Sequence, residues 1–293
     1  MIVRAHRNTT LPAISKGFNV TRAAAIQMAS GTNLSANLQE TGRLIAEAAH
    51  AGAGLVVLPE NFALMGMHEK DKVALRETDG EGPIQDFLAQ QARRHGIWLV
   101  GGTVPLACPD AGKIFAGCLV YDDQGQRRAR YDKIHLFDVH LPDSEEHYEE
   151  SQTIMSGDRL VTLDTPFGVL GLAVCYDLRF PELFRGLLDR GAEIIALPAA
   201  FTAVTGRAHW EPLVRARAIE NQVYIIAAAQ GGFHVNGRET HGDSMIVDPW
   251  GHVVDRLTRG AGMALGTLDP ERQRLIRRSF PSIAHRRLSC DLA

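Results

Sequence analysis

The 293-residue sequence lacks cysteine pairs, long apolar runs and an excess of either charge. Its four cysteines, Cys108, Cys118, Cys175 and Cys290, form no CxxC pair, which argues against a zinc knuckle and a disulfide framework. No apolar run approaches the roughly 20 residues that a membrane-spanning helix needs. A formal net charge of -3 provides no basic field for nucleic acid or anionic lipid. We therefore expect a cytoplasmic protein that binds neither nucleic acid nor membrane.

The first part of the chain also lacks acidic residues, since the first carboxylate is Glu40. Basic residues precede it at Arg4, Arg7, Lys16 and Arg22. We predict that residues 1–21 form a disordered leader, with a transit peptide and an early start codon as alternatives. A short tail is expected at 288–293.

What the chain does contain is an alternation of short β-type runs and helical patterns. Runs at 23–28 and 54–58 flank a stretch with Leu34, Leu38 and Ile45 at helical spacing, which predicts a βαβ unit. Further β-type runs lie at 97–103, 116–121, 127–131, 169–174, 194–197, 223–229, 244–247, 253–257 and 263–267. Because a twisted open sheet seldom exceeds roughly ten strands, we expect two sheets faced by helices. No linker-like composition divides the chain, which favours one domain over 22–287.

Turn and helix-end residues place several element boundaries. Glycines close predicted helices at 83–95 and 181–190, and Asp269 is placed to cap a third helix. The segments 122–125 and 249–251 have the composition of hairpin turns. Antiparallel pairs are therefore expected beside the parallel crossovers.

Cys175 stands at the C-terminal end of the buried strand predicted at 169–174. A turn there exposes a side chain at the sheet edge and leaves backbone N–H groups free to face an oxyanion. A lone cysteine is more often a small core residue. The polar neighbours Tyr176, Asp177 and Arg179 favour a cleft instead.

Two more chemically useful residues follow predicted strands. Glu60 comes after the run at 54–58, and Lys133 comes after the run at 127–131. Either residue alone is usually a surface charge. With Cys175 they supply a nucleophile, a base and a cation, which are the groups that acyl transfer from an amide requires. A lysine close to the sulfur is expected to lower the pKa of the thiol.

These blocks resemble the carbon–nitrogen hydrolase, or nitrilase, superfamily. The matching segments are 58–61, 131–138, 175–182, 197–206, 209–211, 215–222 and 245–251. The resemblance covers about 22–287 and implies an α/β fold, a four-layer α-β-β-α sandwich, usually paired into a homodimer or a larger homo-oligomer. It also implies an amidase with Cys175 as nucleophile, Glu60 as base and Lys133 beside the oxyanion, without metal or cofactor.

The resemblance implies further site residues. A second glutamate of the family helps to position substrate beside Lys133, and Glu150 is its best match, with Glu149 as the alternative. The backbone N–H of Tyr176 is expected to complete the oxyanion hole.

Within the superfamily the chain resembles the branch of amidases that act on deaminated glutathione and on 2-oxoglutaramate. Such substrates share an anionic acyl end, for which Arg179 is the candidate contact, with Phe201 and Thr205 lining the acyl pocket. The alternative is that Arg179 pairs with Glu182 or Asp177 and only holds the turn.

The loop 230–244 has the length and placement expected for the deaminated glutathione branch. Hydrolysis of deaminated glutathione to 2-oxoglutarate and cysteinylglycine is therefore the expected activity; omega-amidase activity on 2-oxoglutaramate is the alternative, ahead of carbamoylase or nitrilase. Asp243 is a departure, because relatives commonly carry histidine there. Candidate contacts to a large leaving group are Phe233, His234, Asn236 and Arg238.

Other classes of protein fit the sequence less well. His135, His140 and His147 lie close together in the chain, but their spacing matches no established zinc pattern. A non-catalytic scaffold would be expected to lose at least one of the three reacting residues, and none is missing.

Overall fold

The structure is a computed structural model that describes residues 20–140 and 147–288. The predicted leader lies outside the described residues except for Val20 and Thr21. The predicted tail lies outside them except for Leu288.

Strands and helices alternate along the described chain. The strands are β1 (Thr21–Gln27), β2 (Ala53–Val57), β3 (Trp98–Val100), β4 (Val104–Ala107), β5 (Ile114–Tyr121), β6 (Arg127–Asp132), β7 (Asp138–His140), β8 (His147–Glu149), β9 (Thr162–Thr165), β10 (Gly168–Leu172), β11 (Ile194–Ala199), β12 (Tyr224–Ala229), β13 (Gly231–Phe233), β14 (Glu239–His241), β15 (Ser244–Val247), β16 (Val253–Leu257) and β17 (Gly262–Leu268). The helices are α1 (Leu34–His50), α2 (Asp71–Ala74), α3 (Pro83–His95), α4 (Pro181–Asp189), α5 (Ala203–Asn221) and α6 (Pro270–Ser279).

Most strands belong to two mixed sheets, as the strand count predicted. The first has the order β17-β1-β2-β3-β5-β4, with β6 paired to β5. The second has the order β16-β15-β12-β11-β10-β9. Strands β1, β2 and β3 are parallel, as are β10, β11 and β12, so each sheet gathers the carboxyl ends of its central strands at one edge.

The two sheets pack face to face between layers of helices. Ala23 and Ala25 of β1 join the core shared with the second sheet, whereas Ala24 and Ile26 join the core formed with α1 and α3. This alternation follows from the two-residue period of a strand, and it explains why strands buried on both faces are apolar throughout. Helices α4 and α5 cover the second sheet. The predicted four-layer α-β-β-α sandwich is confirmed.

Several predicted boundaries agree with the structure. Helix α3 spans the predicted 83–95, and α4 begins at the predicted residue. The side chain of Asp269 accepts hydrogen bonds from the N–H groups of Glu271 and Arg272, so it caps α6. Both predicted hairpins are present, β5–β6 and β15–β16. None of the helices in the described ranges is long and apolar enough to cross a bilayer.

The short hairpins β7–β8 and β13–β14 were not predicted. Each of their strands has only three residues, which is too short for a hydrophobic alternation to be recognised. Both hairpins lie next to segments that carry candidate site residues.

Candidate active site

Cys175 occupies a strained turn at the end of β10. It begins a 3₁₀ turn, Cys175–Arg179, with a φ of 48°. Residues other than glycine rarely adopt this left-handed backbone conformation, and they keep it only where the surrounding structure enforces it. The side chain is 8% exposed, and its Sγ accepts a hydrogen bond from the N–H of Ala200 at 3.5 Å. The predicted elbow is therefore present.

Asp177 connects this turn to the end of β6, which Lys133 directly follows. Its fully buried carboxylate accepts from the N–H of Val174 at 2.8 Å and from the hydroxyl of Tyr131 at 2.7 Å. It also accepts from the N–H of His135 at 3.1 Å and lies 2.7 Å from the His135 ring. Asp177 therefore ties the nucleophile segment to the end of β6, a role that sequence reasoning missed.

Lys133 lies at the centre of a buried charge cluster. Its Nζ donates to Oε1 of Glu60 at 2.9 Å and to both carboxylate oxygens of Glu150 at 2.8 Å. Burial alone lowers the pKa of a lysine, but the two carboxylates outweigh it, and the pKa of Lys133 lies well above its ordinary value. Lys133 therefore remains an ammonium ion. We call Glu60, Lys133 and Glu150 the carboxylate–lysine cluster.

Glu150, and not Glu149, belongs to this cluster. Besides contacting Lys133, its carboxylate accepts from the N–H of Phe137 at 2.7 Å. Burial raises the pKa of Glu150, but the charges of Lys133 and Lys72 and the hydrogen bonds from Lys133 and Phe137 together outweigh it, and the pKa lies below its ordinary value. The carboxylate of Glu149 instead lies 2.8 Å from Nε2 of His147, on an exposed side chain. Of the two glutamates that the sequence left open, Glu150 therefore lies beside Lys133 and Glu149 does not.

A second layer of hydrogen bonds fixes Glu60. The side-chain amide of Gln230 donates to the carbonyl of Glu60 at 3.0 Å and to the hydroxyl of Ser30 at 2.8 Å. The following residue, Asn61, has a φ of 57°, and its N–H donates to the hydroxyl of Thr103. The first sheet thus presents the Glu60 carboxylate in one orientation.

The thiol of Cys175 has a raised pKa. Burial raises it most, and the charge of Glu60 raises it further. Lys133 lowers the pKa, as expected from the sequence, but burial and Glu60 outweigh it. The free enzyme therefore holds a protonated thiol beside a carboxylate.

A cleft opens over these groups. Its lining includes all of the residues that the sequence singled out for catalysis and for contact with the acyl half of the substrate. They are Glu60, Lys133, Glu150, Cys175, Tyr176, Arg179, Phe201 and Thr205.

Arg179 lies on the cleft wall without a carboxylate partner among the described residues. Its guanidinium lies over the rings of Phe201 and Tyr176, at 5.1 and 5.8 Å from their centroids. Its Nη1 lies 3.2 Å from Nδ1 of His209. Partial burial lowers the pKa of Arg179. The alternative of pairing with Glu182 or Asp177 is therefore wrong.

Thr205 combines a place in the cleft with a structural contact. Thr202 caps α5 by accepting from the N–H of Thr205, and the two hydroxyls lie 2.9 Å apart. The hydroxyl of Thr205 is thus already occupied within the protein. Phe201, in contrast, presents its ring to Arg179 and to Trp210.

A second arginine in the lining, Arg238, comes from the loop between β13 and β14. Its Nη2 donates to the carbonyl of Ala200 at 2.8 Å, next to the nucleophile. Sequence reasoning named Arg238 only as one of four contacts to a leaving group. Its cleft position depends on the unpredicted hairpin.

Asp243 does not line the cleft. Its carboxylate forms a two-point ion pair with Arg256, at 2.9 and 2.5 Å, and its carbonyl accepts from Nε1 of Trp210 at 2.8 Å. The departure from related sequences thus changes the hydrogen bonding behind the loop rather than the substrate surface.

The three histidines considered for metal binding do not converge. His135 is bound to Asp177, whereas the rings of His140 and His147 lie 4.2 Å apart in the β7–β8 hairpin. No group of three potential ligands meets within the ranges 20–140 and 147–288.

Comparison with known proteins agrees with this architecture and site. Residues 22–278 match the family described as carbon-nitrogen hydrolase. The chain belongs to the carbon-nitrogen hydrolase family.

Its relatives narrow the comparison further. It is 44% identical over 267 residues to the deaminated glutathione amidase of Synechocystis, a match that covers 90% of this chain and 97% of the relative. The deaminated glutathione amidase of Yersinia enterocolitica is 42% identical, with 92% and 94% covered. The crystal structure of the nitrilase and fragile histidine triad fusion protein of Caenorhabditis elegans superposes with a TM-score of 0.85 at 38% identity. That match covers 93% of this chain but only 66% of the longer fusion chain.

Proposed function

We propose that the protein hydrolyses deaminated glutathione to 2-oxoglutarate and cysteinylglycine through a thioester on Cys175. The names of its Synechocystis and Yersinia relatives support this substrate. The observation that carries it is the guanidinium of Arg179, which has no carboxylate partner within the described residues and lies in the same cleft as the nucleophile. A carboxylate at the acyl end of the substrate supplies the missing partner.

The first half of the reaction starts from the protonated thiol. As Sγ of Cys175 attacks the amide carbon, Glu60 takes the thiol proton and the carbonyl oxygen becomes negative. Lys133 and the N–H of Tyr176, which has no acceptor within its turn, stabilise that oxygen. Collapse of the tetrahedral species breaks the carbon–nitrogen bond, and Glu60 returns the proton to the leaving amine.

The second half uses the same groups on water. Glu60 takes a proton from the water that attacks the thioester, and the oxyanion again faces Lys133. The carbon–sulfur bond then breaks, the 2-oxo acid leaves and the thiol recovers a proton from Glu60. Glu150 takes no proton in this scheme; it fixes the Lys133 ammonium through two short hydrogen bonds.

A substrate comparison tests the proposal. Purified protein is assayed with deaminated glutathione, 2-oxoglutaramate and an aliphatic nitrile, and the expected order of kcat/KM follows that sequence. Faster turnover of 2-oxoglutaramate assigns the enzyme to omega-amidase activity. A preference for the nitrile contradicts the assignment of Arg179, because a neutral nitrile offers a guanidinium nothing to bind.

We also propose that the enzyme is a homodimer or a larger homo-oligomer. Three large apolar side chains lie exposed near the end of α5: Ile219 lies beside Gly251, and the rings of Trp250 and Phe280 are 5.6 Å apart. Clustered exposed apolar side chains are typical of protein interfaces. Light scattering at micromolar concentration should give at least twice the chain mass, and a monomer contradicts the proposal.

A cytoplasmic site of action completes the proposal. Cys108, Cys118 and Cys175 are free thiols in the described structure. A nucleophilic thiol keeps its reduced form most readily in a reducing compartment.

A further inference from the structure

We infer that Arg238 forms a second anion subsite, which binds the carboxylate of the leaving cysteinylglycine. The inference rests on the proposed function and adds to it the residue that recognises the amine half of the substrate. Both carboxylates of deaminated glutathione would then be bound, one by each arginine.

The structure selects Arg238 from the four loop residues that could contact a leaving group. The side chain of Phe233 is 79% exposed and lies outside the cleft lining. His234 is buried, with its ring nitrogens at Ser30 and Thr240. Asn236 donates to the carbonyl of Gly66. Only Arg238 contributes to the cleft.

Arg238 is held in place but incompletely bonded. Its backbone N–H donates to Oδ1 of Asn236 at 3.0 Å, and its Nη2 donates to Ala200 at 2.8 Å. Its Nε is buried and has no hydrogen-bond partner in the described structure. The pKa of Glu69 is lowered mainly by Lys72 and to a smaller extent by Arg238, but its carboxylate is already paired with Lys72 at 2.9 Å. A guanidinium has five N–H donors, and that of Arg238 makes one side-chain hydrogen bond among the described residues, so donors remain for an incoming carboxylate in the cleft.

Contacts through three aromatic rings connect the two cleft arginines. Arg238 lies 5.1 Å from the ring of Tyr148, which is 5.1 Å from Phe137. Phe137 is 5.0 Å from Tyr176, and Arg179 lies 5.8 Å from that last ring. A ligand with a single carboxylate satisfies one guanidinium only. A ligand with a carboxylate in each half satisfies both.

The assignment of the two ends follows from where each arginine is attached. Arg179 belongs to the same short turn as the nucleophile, which suits an acyl chain of fixed length. Arg238 belongs to a loop between short strands, which suits a longer and more variable amine half.

The test compares deaminated glutathione with its analogue in which the glycine carboxylate is a primary amide. Arg238→Met is expected to lower kcat/KM for deaminated glutathione about tenfold to a hundredfold, as for the loss of a charge-assisted pair. The same variant should change kcat/KM for the amide analogue and for 2-oxoglutaramate by less than about threefold. Arg207→Met, which removes an exposed arginine of α5 outside the cleft lining, is the matched control.

Equal losses on all three substrates would show that Arg238 only supports the fold and would overturn the subsite. Arg238→Lys covers the case in which the methionine variant folds poorly; it should again lose activity selectively on the dicarboxylate. An unchanged kcat/KM for deaminated glutathione in a folded variant also overturns the inference.

A product-inhibition experiment separates this inference from the proposed function. Cysteinylglycine and cysteinylglycinamide are compared as inhibitors of whichever amide the wild-type enzyme turns over. Arg238→Met should weaken inhibition by cysteinylglycine at least about tenfold and leave inhibition by the amide unchanged. If deaminated glutathione is not hydrolysed but this selectivity holds, the proposed function fails and the subsite stands. If neither inhibitor distinguishes the variant, the subsite fails.

Discussion

The charged groups at the base of the cleft and those on its walls are neutralised in different ways. In the carboxylate–lysine cluster, Lys133 is fully buried and each charge lies within 2.9 Å of an opposite one. The cleft arginines, Arg179 and Arg238, have no carboxylate within 4 Å among the described residues. The cluster is thus complete before substrate arrives, whereas the arginines are completed by it. The residues of the cluster therefore take part in the reaction, whereas the two arginines recognise the substrate.

The largest expected effect comes from removing a reacting residue. Cys175→Ala, Glu60→Gln and Lys133→Met should each lower kcat/KM by more than about ten-thousandfold, and combining two of them should add little, since groups that act as one unit are not additive. Steady-state assays measure this, with Lys70→Ala as an exposed-lysine control. Retention of more than about a hundredth of wild-type activity by Cys175→Ala would exclude the covalent mechanism.

Lys133→Met should also destabilise the protein, unlike Cys175→Ala. Without the ammonium, two carboxylates remain buried and unpaired, which costs about 3–5 kcal/mol. Denaturant unfolding measures this loss of stability separately from the loss of activity. Glu60→Gln, which removes one charge while keeping the side-chain shape, is the variant for comparison.

How far this centre could be predicted depended on where each residue lies in the chain. Glu60, Lys133 and Cys175 follow strands of five or six residues that can be recognised in the sequence, so the position of each at the end of a strand could be predicted. The cleft position of Arg238 depends on the hairpin β13–β14, and the pairing of Glu150 with Lys133 depends on the hairpin β7–β8. The strands of both hairpins have only three residues and leave no recognisable pattern in the sequence.

The raised pKa of the thiol could not be foreseen for a different reason. It depends on the burial of the thiol and on the charge of Glu60 beside it, and neither is encoded in the local sequence. The same holds for Asp177, whose four contacts involve three residues from two separate segments, 131–135 and Val174.

The second-largest loss of activity is expected at Glu150, and it distinguishes this residue from its neighbour Glu149. Glu150→Gln should lower kcat about tenfold to a hundredfold with little change in KM, because it loosens the grip on Lys133 without removing a reacting group. Glu149→Gln is the matched control and should stay within about threefold of wild type. Equal effects of the two changes would remove Glu150 from the cluster.

A smaller and substrate-dependent effect is expected at the cleft wall. Arg179→Lys keeps the charge but loses the planar fork, and kcat/KM for deaminated glutathione should fall about tenfold. An amide without an acyl carboxylate should be hydrolysed equally well by wild type and variant. If both substrates lose activity alike, Arg179 is a structural residue and the comparison between cluster and wall breaks down.

The smallest effect is expected behind the loop. Asp243→Asn weakens a pair with the partly exposed Arg256, so the free energy of unfolding should fall by less than about 1 kcal/mol. Activity should stay within about twofold, since Asp243 does not line the cleft. Glu211→Gln, which removes the other partner of Arg256, is the control. A large change in substrate preference would mean that Asp243 influences the cleft.

The pH dependence of Cys175 alkylation tests most directly whether the cluster holds the nucleophile as a thiol beside its base. The alkylation rate is measured against pH for wild type, Glu60→Gln and Lys133→Met, with Cys175→Ala to subtract reaction at other thiols. Because burial and the charge of Glu60 raise the pKa of the thiol while Lys133 lowers it, the wild-type midpoint should lie above the ordinary thiol value of about 8.5. The midpoint should fall in Glu60→Gln and rise in Lys133→Met. A wild-type midpoint below the ordinary value, or shifts of the same sign in both variants, would contradict the account.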